Sequence, residues 1–164
     1  MNISDFWKAA YTELKKGERI IVFIVVDQTK GSPGTSAARM FVNSKGVCYG
    51  TIGGGIMERR VLNHAEDNFK EAHLPCPSLQ LLEHRTNNNS LSSGLICGGT
   101  QTNLEIAFSP QKDLELVKNI SAAANNGLGS LCCSRSGLEI NDESVFEIVL
   151  NKIDSYEDWS VILP

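Results

Sequence analysis

Residues 19–27, RIIVFIVVD, constrain the fold more than any other stretch of this 164-residue chain. From Ile20 to Val26 no polar residue interrupts the run, and most of it is β-branched, which suits a strand. Without alternation the strand has no face for solvent, so both faces must be covered. The run is also far shorter than the ~20 apolar residues of a membrane-crossing helix, and no other stretch is longer. It therefore reads as the central strand of a sheet with helices packed on it. Just upstream, Ile3, Phe6, Trp7, Ala10 and Leu14 recur at helical spacing, with Ser4 and Asp5 placed to cap the start and Gly17 the end.

The rest of the chain fits an α/β plan. Turn formers fill residues 29–36, a strand follows at 38–42, and Asn43-Ser44-Lys45-Gly46 reads as a hairpin turn into a strand at 47–52. That strand runs into Gly53-Gly54-Gly55 and then a second helix marked by Met57, Val61, Leu62, Ala65, Phe69 and Ala72. Pro75 and Pro77 break the chain before a strand at 79–85, and a polar loop at 86–93 leads to Gly94-Leu95-Ile96-Cys97-Gly98-Gly99. Residues 101–108 alternate as a strand, and Leu114, Val117, Ile120 and Ala124 mark a third helix closed by Asn126-Gly127. Short apolar runs at 131–134, 138–140, 145–150 and 159–163 read as antiparallel additions to the sheet. The expectation is one α/β domain over 1–164: a mixed sheet, about three flanking helices and antiparallel C-terminal strands.

Composition bounds the function. With 41% hydrophobic and 21% charged residues the chain can build a single core. A net charge of -4, with the 15 Lys and Arg scattered, argues against a nucleic-acid partner, which needs clustered basic residues. The first residues lack the layout of a signal peptide. The five cysteines (Cys48, Cys76, Cys97, Cys132, Cys133) form no CxxC pair, so neither a disulfide framework nor a zinc ribbon is indicated. A reducing, cytoplasmic setting with no membrane association follows as the expectation.

Three features can carry chemistry. The backbone at Gly53, Gly54 and Gly55 can approach a ligand closely, and a helix N-terminus favours an anion such as a phosphate. The surrounding pattern is neither a dinucleotide fingerprint nor a Walker A loop. Glu58 in the first turn is either a partner of the helix dipole or a side chain turned to the ligand. Cys97, followed by Gly98 and Gly99, stands apart from the other cysteines. Bare N–H groups beside it favour a thiolate, hence a nucleophile, a sulfur carrier or a soft metal ligand, while the plain alternative is a buried free cysteine. Residues 31–36, including Ser32, offer hydroxyls and N–H groups at the end of the central strand, where open sheets commonly bind ligands, or form a simple surface turn. Arg39, Arg59 and Arg60 could balance a phosphate or be merely solvated. His64, His73 and His84 share no metal-ligand spacing, and Cys132-Cys133 in a strand point to opposite faces.

Taken in order, Gly31-Ser32-Pro33-Gly34 leading to Ala38-Arg39-Met40, Gly50-Thr51-Ile52-Gly53-Gly54-Gly55-Ile56-Met57-Glu58, and Cys97-Gly98-Gly99 resemble the N-terminal domain of the XdhC/CoxI family. Ala37 stands where the family pattern carries Gly. The resemblance implies a non-enzymatic accessory protein that binds the molybdenum cofactor (molybdopterin) transiently, supports its sulfuration and delivers it to a xanthine dehydrogenase-type apoenzyme. It implies cofactor contacts from Ser32, Gly53, Gly54, Gly55, Glu58, Cys97, Gly98 and Gly99, with Cys97 facing the metal. Implied partners are the apoenzyme, a cysteine desulfurase and a separate chain carrying the Rossmann-like C-terminal domain of longer members, a domain expected to be absent here. Pairing with a second copy is a further expectation. The competing reading is a thiol-dependent nucleotide-binding oxidoreductase or transferase with Cys97 as nucleophile.

Overall fold

A computed structural model describes residues 2–32, 34–71, 74–83, 99–127, 129–141, 143, 148–152 and 158–164. The chain opens with α1 (Ile3–Lys15), β1 (Ile20–Gln28), β2 (Arg39–Asn43) and β3 (Cys48–Thr51). There follow α2 (Gly55–Lys70), β4 (Ser78–Glu83), β5 (Thr100–Phe108) and α3 (Pro110–Asn126). It ends with β6 (Ser130–Ser134), β7 (Gly137–Asn141), β8 (Val149–Lys152) and β9 (Trp159–Leu163).

β1 is the middle strand of a five-stranded sheet in the order β3-β2-β1-β5-β4. Its unbroken apolar run serves two cores. Ile20, Val22, Ile24 and Val26 face a core shared with α1, α3 and the apolar side of β6 and β9. Ile21, Phe23 and Val25 face a second core closed by Met57, Val61 and Ala65 of α2. None of these seven β1 side chains is more than 5% exposed, and burying each contributes roughly 1.5–3 kcal/mol.

The α/β class, the three helices and the central place of β1 are as the sequence indicates. The arrangement of the strands differs. Every strand pair in the first sheet is antiparallel, so the sheet is not mixed. The C-terminal strands do not extend it but form a second antiparallel sheet in the order β7-β6-β9-β8. The physical reason lies in their alternation: Leu131, Cys133, Trp159, Val161 and Leu163 put one apolar face onto the core that α1 and α3 line. A strand that is apolar on one face completes that core by packing and needs no backbone pairing with the first sheet.

Helix ends follow local chemistry. Asn2, two residues ahead of the anticipated Ser4, caps α1 by accepting from the Ser4 N–H at 3.1 Å. α3 starts at Pro110, where its missing N–H is no loss, and ends at Gly127 with φ 63°.

Candidate functional site

The end of β1, the start of β2, the end of β3 and the start of β5 share one edge of the first sheet, because antiparallel pairing sets Ile24 beside Arg39, Arg39 beside Thr51 and Gln28 beside Gln101. The loops leaving these ends must therefore meet. Gln101, fully buried, joins them. The Ser32 hydroxyl donates to Gln101 Oε1 at 3.0 Å. Gln101 Nε2 donates to the Ile52 carbonyl at 3.1 Å and to Asn103 Oδ1 at 2.7 Å. One side chain thus clasps the loop after β1 to the loop after β3.

The third glycine segment abuts the first. A methyl on Gly99 would lie 2.9 Å from the Ser32 backbone nitrogen, a separation that no real side chain tolerates. Beside it Thr29 and Thr100 are laced together: Thr29 N–H donates to the Thr100 carbonyl at 2.9 Å, and Thr100 N–H to the Thr29 hydroxyl at 2.7 Å. Gly34 packs just as closely against Gln101 and the Ile52 carbonyl. Ser32, Gly99 and the segment around Gly53 are therefore brought together. Cys97 and Gly98, with Pro33, Ala72, His73, His84 and the polar loop at 86–93, lie outside the described residues.

The turn from β3 into α2 is held open by its own residues. Gly53 and Gly54 sit at φ 121° and 119°, and no atom of the described residues lies within 4 Å of where a Cβ on Gly54 or Gly55 would stand. Glu58 reaches back from the first turn of α2, and its Oε1 accepts from the Thr51 hydroxyl and, at 3.3 Å, from the Ile52 N–H. The carboxylate fixes the loop, and the N-terminal N–H groups of α2 face the opening with the positive end of the helix dipole. Ala37, in the loop after β1, has φ 65°, the one non-glycine residue with positive φ among the described residues.

Sequence reasoning missed a buried polar stripe beneath α2. Gln101, Asn103 and Glu105 are all buried on β5, on the face that α2 covers. Glu105 accepts from Gln80 Nε2, from Asn68 Nδ2 at 3.1 Å and from His64 Nε2 at 3.1 Å. The hydrogen bond to Glu105 pushes the His64 pKa up, against the opposing effect of burial. Asn103 Nδ2 is buried with no hydrogen-bond partner among the described residues. The only signal was the period-two spacing of Gln101, Asn103 and Glu105, which reads equally well as a solvent face.

The other cysteines are placed as inert or peripheral groups. Cys133 is buried, its thiol pushed up to about 12 by desolvation, and Cys132 on the other face of β6 is half-buried. Cys48 and Cys76 are exposed. Among the described residues no helix is long and apolar enough to cross a membrane.

The sequence model of the XdhC and CoxI family matches residues 13–74, which takes in the first two glycine segments and Glu58 but not Gly99. No curated protein matches the chain. Among solved structures, one described as a xanthine dehydrogenase from Bacillus halodurans superposes with a TM-score of 0.61 at 18% identity, over 99% of this chain and 53% of that one. The chain thus spans about half the length of that protein and shares its fold over that half. In sequence over residues 13–74, this chain is similar to the XdhC and CoxI family.

Proposed function

We propose that this protein is a maturation factor for a xanthine dehydrogenase-type molybdenum hydroxylase, one that binds the molybdenum cofactor, supports its sulfuration and hands it to the apoenzyme. The observation that carries this reading is the meeting of the Ser32, Gly53 and Gly99 segments at Gln101, beside the open N-terminus of α2. The residues fit such a group: a donor-rich helix start with space at Gly54 that no described residue fills, and close by in the Gln101 chain the buried Asn103 Nδ2, which has no hydrogen-bond partner among the described residues. When bound, the cofactor supplies a phosphate and a molybdenum–dithiolene centre. Gly53, Gly54 and Gly55 hold the phosphate end through backbone N–H groups and the helix dipole. Glu58 keeps that loop in shape, and Ser32 acts through Gln101 to fix the neighbouring loop. Cys97, two residues before Gly99 in sequence, would serve the metal as a soft thiolate ligand.

In this role the protein is an accessory factor, acts in the cytoplasm, and meets three kinds of partner: the apoenzyme, a cysteine desulfurase that delivers sulfur, and a separate protein with a Rossmann-like domain. Pairing with a second copy through the exposed edge strand β3 belongs to the same proposal, since that strand leaves backbone groups unpaired and carries Tyr49 at 37% exposure. The deciding experiment mixes the protein anaerobically with released cofactor, desalts it, and counts molybdenum and pterin per chain for the native form, Cys97→Ser and Gly54→Ala. Near-stoichiometric retention that drops in both variants is expected. Retention of neither molybdenum nor pterin by the native protein would overturn the reading.

A further inference from the structure

On the face of the first sheet away from α2 lies a half-open cavity of about 310 Å³ between α1, α3 and the second sheet, with Trp7, Ile120, Leu131 and Leu163 among its walls. Two polar groups interrupt its apolar lining. Arg39 enters from the start of β2, where its Nε donates to the Ala37 carbonyl at 3.0 Å and its guanidinium lies 6.0 Å from the centre of the Phe6 ring. Among the described residues no carboxylate pairs with it. Ser130 also lines the cavity, but its hydroxyl oxygen is itself covered, with no hydrogen-bond partner among the described residues.

Among the described residues this half-buried guanidinium lacks the counter-charge that normally accompanies burial. Burial pushes its pKa down, the signature of a cation held where its charged form is poorly solvated. A ligand that supplies one anion and fills the remaining space with hydrocarbon removes both deficits. An engineered apolar cavity of roughly 150 Å³ holds benzene, so this one has room for about twice that bulk. A dianion such as a phosphate ester of a sugar would leave the walls unfilled, and an amine would face Arg39 with the same charge.

We infer that this cavity is a binding site for a small monocarboxylate with an apolar body, its carboxylate on Arg39 and its hydrocarbon against Trp7, Ile120 and Leu131. The site lies on the sheet face away from α2, adjoins the loop after β1 through Arg39 and the Ala37 carbonyl, and stands whether or not the glycine loops hold a cofactor. Aliphatic and aromatic acids share this chemistry, and octanoate and 2-naphthoate serve as the two probes.

Titration calorimetry on the intact protein tests it, with 1-octanol and octylamine as the neutral and cationic counterparts of octanoate. At least one acid is expected to bind saturably at one site and more tightly than octanol, with no binding of the amine. Losing the charge-assisted contact in Arg39→Met is expected to weaken the acid about tenfold while leaving octanol unchanged. A second variant, Ala123→Phe, fills the cavity from α3 and is expected to abolish binding of acid and alcohol alike, with circular dichroism showing the fold retained. If neither acid binds saturably, or octylamine binds as well as octanoate, or Arg39→Met leaves the acid's affinity unchanged, the inference fails. Binding of one acid and not the other identifies which hydrocarbon shape the walls accept.

Discussion

Glu105 shows how single residues in this protein are committed by their surroundings. Its carboxylate is 1% exposed, and such a group is tolerable only because Gln80, Asn68 and His64 all reach it. The His64 imidazole is the exposed member, with its side chain 48% accessible, and the hydrogen bond to Glu105 raises its pKa above the ordinary 6.5. A raised folded-state pKa means that protonation favours the native form. The gain is full below 6.5, where both states are protonated, and is lost as pH rises through the folded value. Solvent screening at so exposed an imidazole limits the gain to a fraction of a kcal/mol, about 0.2–1. Urea midpoints at about pH 5.5 and about pH 8.5 should therefore show the native protein losing more stability over the interval than His64→Gln does. Parallel curves for the two proteins would mean that the pair contributes nothing.

At the level of elements, the loops are set by what fits between strand ends. A methyl on Gly34 would stand 2.8 Å from the Ile52 carbonyl and closer still to Gln101 Oε1. Neither can yield cheaply, since one is backbone and the other is fixed by hydrogen bonds from Ser32 and to Ile52 and Asn103. Gly34→Ala is expected to cost about 1–3 kcal/mol, read as a drop in urea midpoint with an unchanged far-ultraviolet spectrum. A midpoint equal to the native value would show that the two loops part without penalty. The glycines themselves were legible in the sequence, as were the three helices, because periodicity and caps are local signals. The role of Gln101 was not, because a polar residue opening an alternating strand looks the same whether water or a helix covers its face. The partner of each strand was equally hidden: alternation in β6 and β9 tells which side is buried and is silent about which strand lies next to them.

For the whole molecule, the placement of the second sheet decides how the chain unfolds. If its strands merely added to an edge of the first sheet, they could fray while β1 stayed intact. Instead Val161 and Cys133 share a core with Ile20, Val22 and Ile24 of β1 and with Phe6 and Trp7 of α1, so stripping away β9 opens the core that the central strand belongs to. The two sheets are thus expected to form one cooperative unit. Val161 is fully buried, and Val161→Ala should cost about 1–3 kcal/mol through lost contacts and a residual cavity. For a chain of this size that lowers the melting temperature by roughly 2–4 °C per kcal/mol. Native-state hydrogen exchange separates the two architectures. In a single unit, the slowest amides of β1 and β5 lose protection in Val161→Ala by the same free energy as those of β9, because all open only with global unfolding. Protection lost in β9 alone, with β1 unchanged, would make the second sheet an independently melting layer and the shared core too weak to bind it to the first.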